Sequence, residues 1–386
     1  MDFSFSEDQE LMIDSIKEFA ATYFTDEAVK EMYEVHHGVP DEVQDAYRDL
    51  GFAFMGLPEE VGGIPATRID LGILTETLYR ATGCMTPFMT AMLAAYDVAE
   101  FGSEEQCQLI VDHYEKTGNC FAAMCLSEPG AGSDNNAMTC VTKKQPDGTY
   151  ILNGQKTWVT LAHLSVYTIV VAKDEDPSYE NDKYSLWLVP NDTPGFTVAH
   201  LEKVGQQAIP FVDQFFDNVV LTEDMRLGEP GMGWKLLMKK LEFERCLVVA
   251  SSLGLAQAAL NDAGAYASER IAFKKPIAHQ TQIQEHLCEM ENIIQNVRMR
   301  LYQVVDMIDR GESTRLESAL LKGYACKELT RVADMAMAIY AAIGYTKEIR
   351  VGRIWADLRG NEMGGGTTEI MNYIAGRQLV KKYKAK

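Results

Sequence analysis

The stretch Cys125-Leu-Ser-Glu-Pro-Gly-Ala-Gly-Ser-Asp134 sets two glycines, Gly130 and Gly132, beside the hydroxyls of Ser127 and Ser133. Glycine lets the backbone curve tightly, and hydroxyls next to free N–H groups can hold an anion or the polar edge of a ring. The stretch fits neither the G-x-G-x-x-G fingerprint nor the G-x-x-x-x-G-K-[ST] phosphate loop. A plain Gly-Ser surface loop has the same composition. Downstream, Asn153-Gly-Gln-Lys-Thr-Trp-Val-Thr160 spaces Trp158 and Thr160 two apart, on one side of a strand. An indole beside a hydroxyl can pack on a flat cofactor and bond its edge. A core Trp with a Thr neighbour is the plainer alternative. Third, Leu237, Leu241, Glu244 and Val248 share one helical face, so a carboxylate interrupts an apolar stripe. Desolvation there would raise its proton affinity and suit it to general-base work. The competing reading is an i, i+4 ion pair with Lys240.

The elements that must position these residues change period along the chain. Residues 1–120 read as helical, with Phe5, Leu11, Ile13, Ile16 and Phe19 near 3.6 spacing. Breaks fall at Gly38-Val39-Pro40 and Gly62-Gly63-Ile64-Pro65. Residues 121–232 alternate in short runs, including Tyr150 with Leu152 after the Pro146-Asp147-Gly148 turn, and segments 166–172, 184–189, 195–201 and 211–221. They predict a small β domain carrying both loops, with Asp174–Asp182 as an exposed acidic loop. Residues 233–386 are helical again. Ile283, Leu287, Met290, Ile294, Val297, Leu301, Val304 and Ile308 form the seam of a long bundle helix. That seam faces either the core of its own chain or another subunit.

The chain has 386 residues and a formal net charge of −20, from 56 acidic and 36 basic side chains. Such a surface repels nucleic acid and anionic membranes. No stretch approaches 18 uninterrupted apolar residues, so no membrane span is expected. The acidic start suits neither a signal nor a transit peptide, which predicts a cytoplasmic protein or one already trimmed. The eight cysteines show no CxxC and no His at ligand spacing, which predicts no metal site and mostly buried, reduced thiols.

Together these segments closely resemble the acyl-CoA dehydrogenase family over nearly the whole chain. The resemblance runs from the acidic amphipathic N-terminal helix and Gly56-Leu-Pro-Glu-Glu-Val-Gly-Gly63 through Glu128–Asp134 and Asn153-Gly-Gln-Lys156. It continues in Arg270-Ile-Ala-Phe273 with Gln280, and ends in Gly366-Thr-Thr-Glu-Ile370. It implies an α+β fold with an N-terminal helical domain, a middle β-barrel or sandwich and a C-terminal four-helix bundle, usually as a homotetramer. It also implies FAD, an acyl-CoA substrate and an electron-transfer flavoprotein as partner. By position, Leu126 and Ser127 would contact the flavin ring, with Gly132 in the same loop and Ser133 near the pyrophosphate and acyl-CoA. Trp158 would lie over the isoalloxazine and Thr160 near its reactive nitrogen. Arg270, Phe273 and Gln280 would reach the FAD of a neighbouring subunit, and Thr367 and Glu369 would contact FAD on the C-terminal side.

The reaction removes a proton α to a thioester and a hydride from the β carbon. It needs a carboxylate base and donors for the enolate oxygen. Many members place that base just before the C-terminal Gly-Thr, where this chain has Gly365; Glu369 matches a cofactor-side position. Isovaleryl-type and long-chain-type members instead place a Glu ahead of an Arg on a helix, and Glu244-Arg245 matches that pattern. The resemblance therefore makes Glu244 the base and leaves the Gly365 N–H to bond the thioester oxygen. A second departure is Ala338-Ile-Tyr-Ala-Ala-Ile-Gly344, which stands where the family often has Gln-x-x-Gly-Gly-x-Gly. Ala338 removes an amide there, and methyls at Ala341 and Ala342 hinder close approach to the adenine end of FAD. Lys274 replaces the Gly usual after R-x-x-F.

The implied activity is dehydrogenation of an acyl-CoA. Its closest rival is a 2-enoyl-CoA reductase of the crotonobetainyl or aryl-acrylyl type, because catalysis is symmetric about equilibrium. A non-catalytic subunit of a heteromer is a third reading. An acidic tetramer repels anionic CoA at long range, so a local basic entrance formed by Arg245 or nearby lysines is expected.

Overall fold

A computed structural model describes residues 4–175 and 183–384. Six helices come first: α1 (Glu7–Tyr23), α2 (Asp26–Glu31), α3 (Asp41–Asp49), α4 (Arg68–Thr82), α5 (Phe88–Phe101) and α6 (Glu104–Tyr114). Helices α1 and α4 begin in capping boxes, Ser6 with Gln9 and Thr67 with Asp70. The two boxes are joined, since Gln9 Nε2 donates to Asp70 Oδ1 at 2.8 Å. The inward face of α1 is Ile16, Phe19 and Ala20. Phe5 and Leu11 are exposed, which corrects the longer apolar series. Phe5 precedes the helix, and Leu11 lies about 140° around it from Ile16.

Eight strands follow: β1 (Ala122–Cys125), β2 (Val141–Lys144), β3 (Tyr150–Thr160), β4 (Tyr167–Asp174), β5 (Tyr184–Pro190), β6 (Phe196–Leu201), β7 (Phe211–Leu221) and β8 (Arg226–Leu227). They form one sheet in the order β6-β7-β3-β2-β4-β5-β8, with β1 also on β4. Strands β1 and β2 run parallel to β4, and the remaining pairs are antiparallel. The alternating segments thus became β4 to β7. Asp174 is not exposed, as the acidic-loop reading required. It closes β4, buried, accepting from Thr142 Oγ1 at 2.5 Å and pairing with Arg226 Nη1 at 3.3 Å. A buried guanidinium needs that carboxylate. Residues 176–182 of the acidic stretch lie outside the described residues.

The bundle comprises α7 (Gly233–Glu269), α8 (Thr281–Asp309), α9 (Arg315–Tyr340), α10 (Val351–Asn361) and α11 (Thr368–Lys384). A short hairpin, β9 (Ile271–Ala272) and β10 (Lys275–Pro276), links α7 to α8. By length and composition α7 is apolar enough to cross a membrane, which the count of uninterrupted residues did not anticipate. Its most apolar window is 89% buried, because α7 packs against α4, α8, α9 and α10. On α8, Met290, Ile294, Val297, Leu301 and Val304 are buried against α4, α7 and α9. That stretch of the seam therefore serves the core of its own chain, with Ile283, Leu287 and Ile308 partly buried. Seven of the eight cysteines are buried, Cys288 is exposed and none is bridged.

One buried carboxylate ties the three layers together. Asp357 of α10 accepts from Tyr33 Oη at 2.5 Å, the Gln206 N–H at 2.5 Å and the Met85 N–H at 3.3 Å. Burial pushes the Asp357 carboxyl up, against the pull of these donors. The change Asp357→Ala would strand the Tyr33 hydroxyl and the Gln206 N–H, while the Met85 N–H keeps Tyr33 Oη at 3.0 Å. It is expected to cost about 3 kcal/mol in urea denaturation.

Candidate active site

The glycine loop between β1 and the 3-10 turn at Asn135–Ala137 is held by a buried ion pair. Glu128 Oε1 accepts from Lys156 Nζ at 2.9 Å, and both side chains are shielded from solvent. Glu128 also accepts from the Thr139 N–H at 2.6 Å and the Cys140 N–H at 2.9 Å. Burial alone would raise the Glu128 carboxyl, but these donors and Lys156 outweigh it and hold it below the usual range. Lys156 Nζ also donates to the Leu126 carbonyl at 2.9 Å. The Thr157 N–H donates to the Ser127 carbonyl at 2.9 Å. The two motifs thus meet, with Leu126 and Ser127 fixed against the strand that carries Trp158. Gly132 and Ser133 lie exposed farther along the loop.

Lys156 and Thr157 are both buried, which breaks the alternation of β3. Against β7 the register slips between Lys156 and Val159, forming a bulge. The bulge throws Trp158 outward at φ +59°, with 61% of its surface exposed. Val159 is buried, so Trp158 and Thr160 do face one side. A large aromatic in left-handed backbone is a local strain that the surrounding bulge and buried neighbours must hold in place. The hydroxyls of Ser127, Ser133 and Thr160 carry no hydrogen bond among the described residues.

At the bundle, Glu244 and Gly365 are brought together. A Cβ placed on Gly365 would lie 3.9 Å from Glu244 Oε1, and Gly365 has φ +65°. Its N–H carries no hydrogen bond among the described residues. Lys322 of α9 holds this turn, donating to the Glu362 carbonyl at 3.0 Å and the Gly366 carbonyl at 2.5 Å. Burial pulls the Lys322 ammonium down. The stripe around Glu244 is less apolar than the sequence suggests. Lys240 Nζ lies 3.6 Å from Glu244 Oε2, so the helical ion pair also forms, with Lys240 buried rather than on the surface. Arg245 is buried, with Nε unpartnered among the described residues. Lys240, Arg245 and Lys322 are therefore inside, and the expected basic entrance is not built from them. Arg245 follows Glu244 by about 100° and so turns into the bundle.

The remaining positions stand apart from these. Thr367 Oγ1 accepts from the Ile370 N–H at 3.3 Å, capping α11, and Glu369 is exposed on its first turn. Arg270, Phe273 and Gln280 sit on or beside the hairpin, which packs on α7. Phe273 is 88% exposed. Ala338, Ala341 and Ala342 lie exposed at the end of α9.

Three family models match consecutive parts of the chain. They are the N-terminal domain (residues 6–113), middle domain (residues 123–219) and C-terminal domain (residues 231–380) of acyl-CoA dehydrogenase. The chain belongs to the acyl-CoA dehydrogenase family. It is 38% identical to the probable acyl-CoA dehydrogenase YdiO of Escherichia coli (strain K12), over 100% of both chains. An acyl-CoA dehydrogenase structure from Slackia heliotrinireducens is 32% identical, with a TM-score of 0.87 and full coverage of both chains. The butyryl-CoA dehydrogenase of Megasphaera elsdenii is 26% identical, with a TM-score of 0.89, covering 98% of this chain and 100% of that one.

Sequence reasoning singled out Glu244 and Gly365, which the structure brings together, but missed Lys322, Asp97 beneath Lys240, and the pairing of Glu128 with Lys156. Lys156→Met leaves Glu128 buried without its cation, and is expected to cost about 3–5 kcal/mol in chemical denaturation. Trp158→Ala is expected to stay within about 0.5 kcal/mol of the parent while losing FAD on gel filtration.

Proposed function

We propose that this chain catalyses the flavin-dependent α,β-dehydrogenation of an acyl-CoA thioester, with Glu244 as the base. The observation that carries this reading is the Glu244 carboxylate beside Gly365, 3.9 Å from where a side chain at that position would begin. The residues present fit FAD. The outward Trp158 offers a face for a flat ring, and the unpartnered hydroxyls of Ser127, Ser133 and Thr160 offer bonds to its edges and phosphates. FAD, when bound, supplies the hydride acceptor. Glu244 takes the α proton through Oε1, the oxygen turned toward Gly365. The Gly365 N–H donates to the thioester oxygen as enolate charge develops there. Leu241, Phe243 and Val248 flank Glu244 on α7 with apolar surface that excludes water.

The exposed Phe273 hairpin and α9 end support a neighbouring subunit in a homotetramer, reached through Arg270, Phe273 and Gln280. An electron-transfer flavoprotein then takes up the electrons. The same residues serve the reverse reaction, and the Gly365 position favours an enoyl-CoA reductase as the second reading. The retained Glu244 speaks against a non-catalytic subunit.

The test is anaerobic bleaching of the bound flavin by a series of saturated acyl-CoA thioesters from butyryl-CoA upward. Glu244→Gln is expected to keep FAD and lose about 10²–10⁴ in rate. Turnover near the parent value overturns the base assignment. Reoxidation of reduced flavin by enoyl-CoA, with no bleaching by any acyl-CoA, would select the reductase.

A further inference from the structure

Beneath the base lies a second carboxylate that the reaction does not require. Asp97 of α5 sits 2.5 Å from Lys240 Nζ, and both side chains are 5% exposed. The ion pair is the contact of Asp97 Oδ2, which has no hydrogen-bond partner besides among the described residues. One buried ammonium therefore faces two carboxylates from different helices, at 2.5 Å from Asp97 and 3.6 Å from Glu244 Oε2. Burying an ammonium for Glu244 alone would produce a tight pair in which the carboxylate is tied up. With Asp97 nearer, the ammonium is mostly satisfied, and Glu244 is held loosely by one oxygen while the other faces Gly365.

We propose that Asp97 and Lys240 are positioning residues that tether the base. Lys240 fixes Glu244 through Oε2 and so aims Oε1 at the thioester, and Asp97 draws the ammonium back so that Glu244 stays free to accept a proton. This rests on Glu244 being the base. The other charges packed around the trio have partners or lie beside it. Glu100 on α5 binds Lys239 at 2.5 Å. Arg68 on α4 stacks over Tyr96 at 4.1 Å and Phe243 at 4.8 Å. Arg245 on α7 and Lys322 on α9 add positive charge near Glu244. Consistent with a shared ammonium, burial raises the Asp97 carboxyl to about 7 despite Lys240. The Lys240 ammonium is held above its ordinary value because Asp97 and Glu244 outweigh its burial.

The test is an infrared-monitored pH titration of the FAD-loaded enzyme without substrate, with Glu244→Gln as the blank that identifies the Glu244 carboxyl band. Lys240→Met is expected to move the midpoint of that band up by about one pH unit, and Asp97→Asn to move it down by a similar amount. Lys240→Arg should restore it. Lys240→Met leaves Asp97 buried and unpaired, so the double variant Asp97→Leu with Lys240→Met removes both charges and keeps the fold testable. It should titrate above the parent. Midpoints that coincide with the parent in folded Asp97→Asn and in the double variant overturn the tether. That failure is distinct from failure of the base assignment, in which Glu244→Gln itself keeps turnover.

Discussion

The buried pair of Glu128 and Lys156 is the constraint from which the β-domain side of the candidate site follows. An ammonium taken wholly out of water must find acceptors, and Lys156 finds two on the loop after β1, the Glu128 carboxylate and the Leu126 carbonyl. The loop is drawn against β3 as a result. With Lys156 turned inward and Thr157 bonded to Asp213 beside it, two consecutive side chains point into the domain. A pleated strand cannot do this without an extra residue, so the bulge and the outward throw of Trp158 follow. The exposed indole is the far end of a chain of necessities that begins with one buried charge.

The bundle side obeys the same logic with more participants. Lys240 and Lys322 are both buried cations, and each is satisfied by more than one acceptor. Removing a partner from such a group leaves a charge in a low-dielectric interior, which is why these side chains fix the surrounding backbone so firmly. Left-handed backbone also occurs at exposed non-glycine residues of the C-terminal part. Phe273, Lys274 and Ala341 all have positive φ, at +51°, +66° and +57°. Lys274 and Ala341 stand where the resemblance leads one to expect glycine, so the main chain holds a glycine-like shape at the expense of ordinary side-chain preference.

The order of helical, β and helical parts was legible because helix and strand periods differ. Glu244 was legible as a carboxylate in an apolar stripe, and so was its helical neighbour Lys240, four residues away. What covers that face was not legible. Asp97 comes from α5 and Lys322 from α9, and the period of one helix says which of its residues share a face without naming the element packed there. The same limit hid the partner of Glu128. It also misplaced Arg245, expected at an entrance and found turned into the bundle, and Asp174, read as part of a loop and found anchoring Arg226.

Lys322 grips the carbonyls on either side of Gly365 from the N-terminal third of α9, and Glu244 projects from α7. The space between the Glu244 carboxylate and the Gly365 N–H is therefore set like the opening of a calliper, with α7 carrying one jaw and α9, through Lys322, the other. The two helices pack directly on each other. A substitution that merely spreads that contact, far from either group, would widen the jaws.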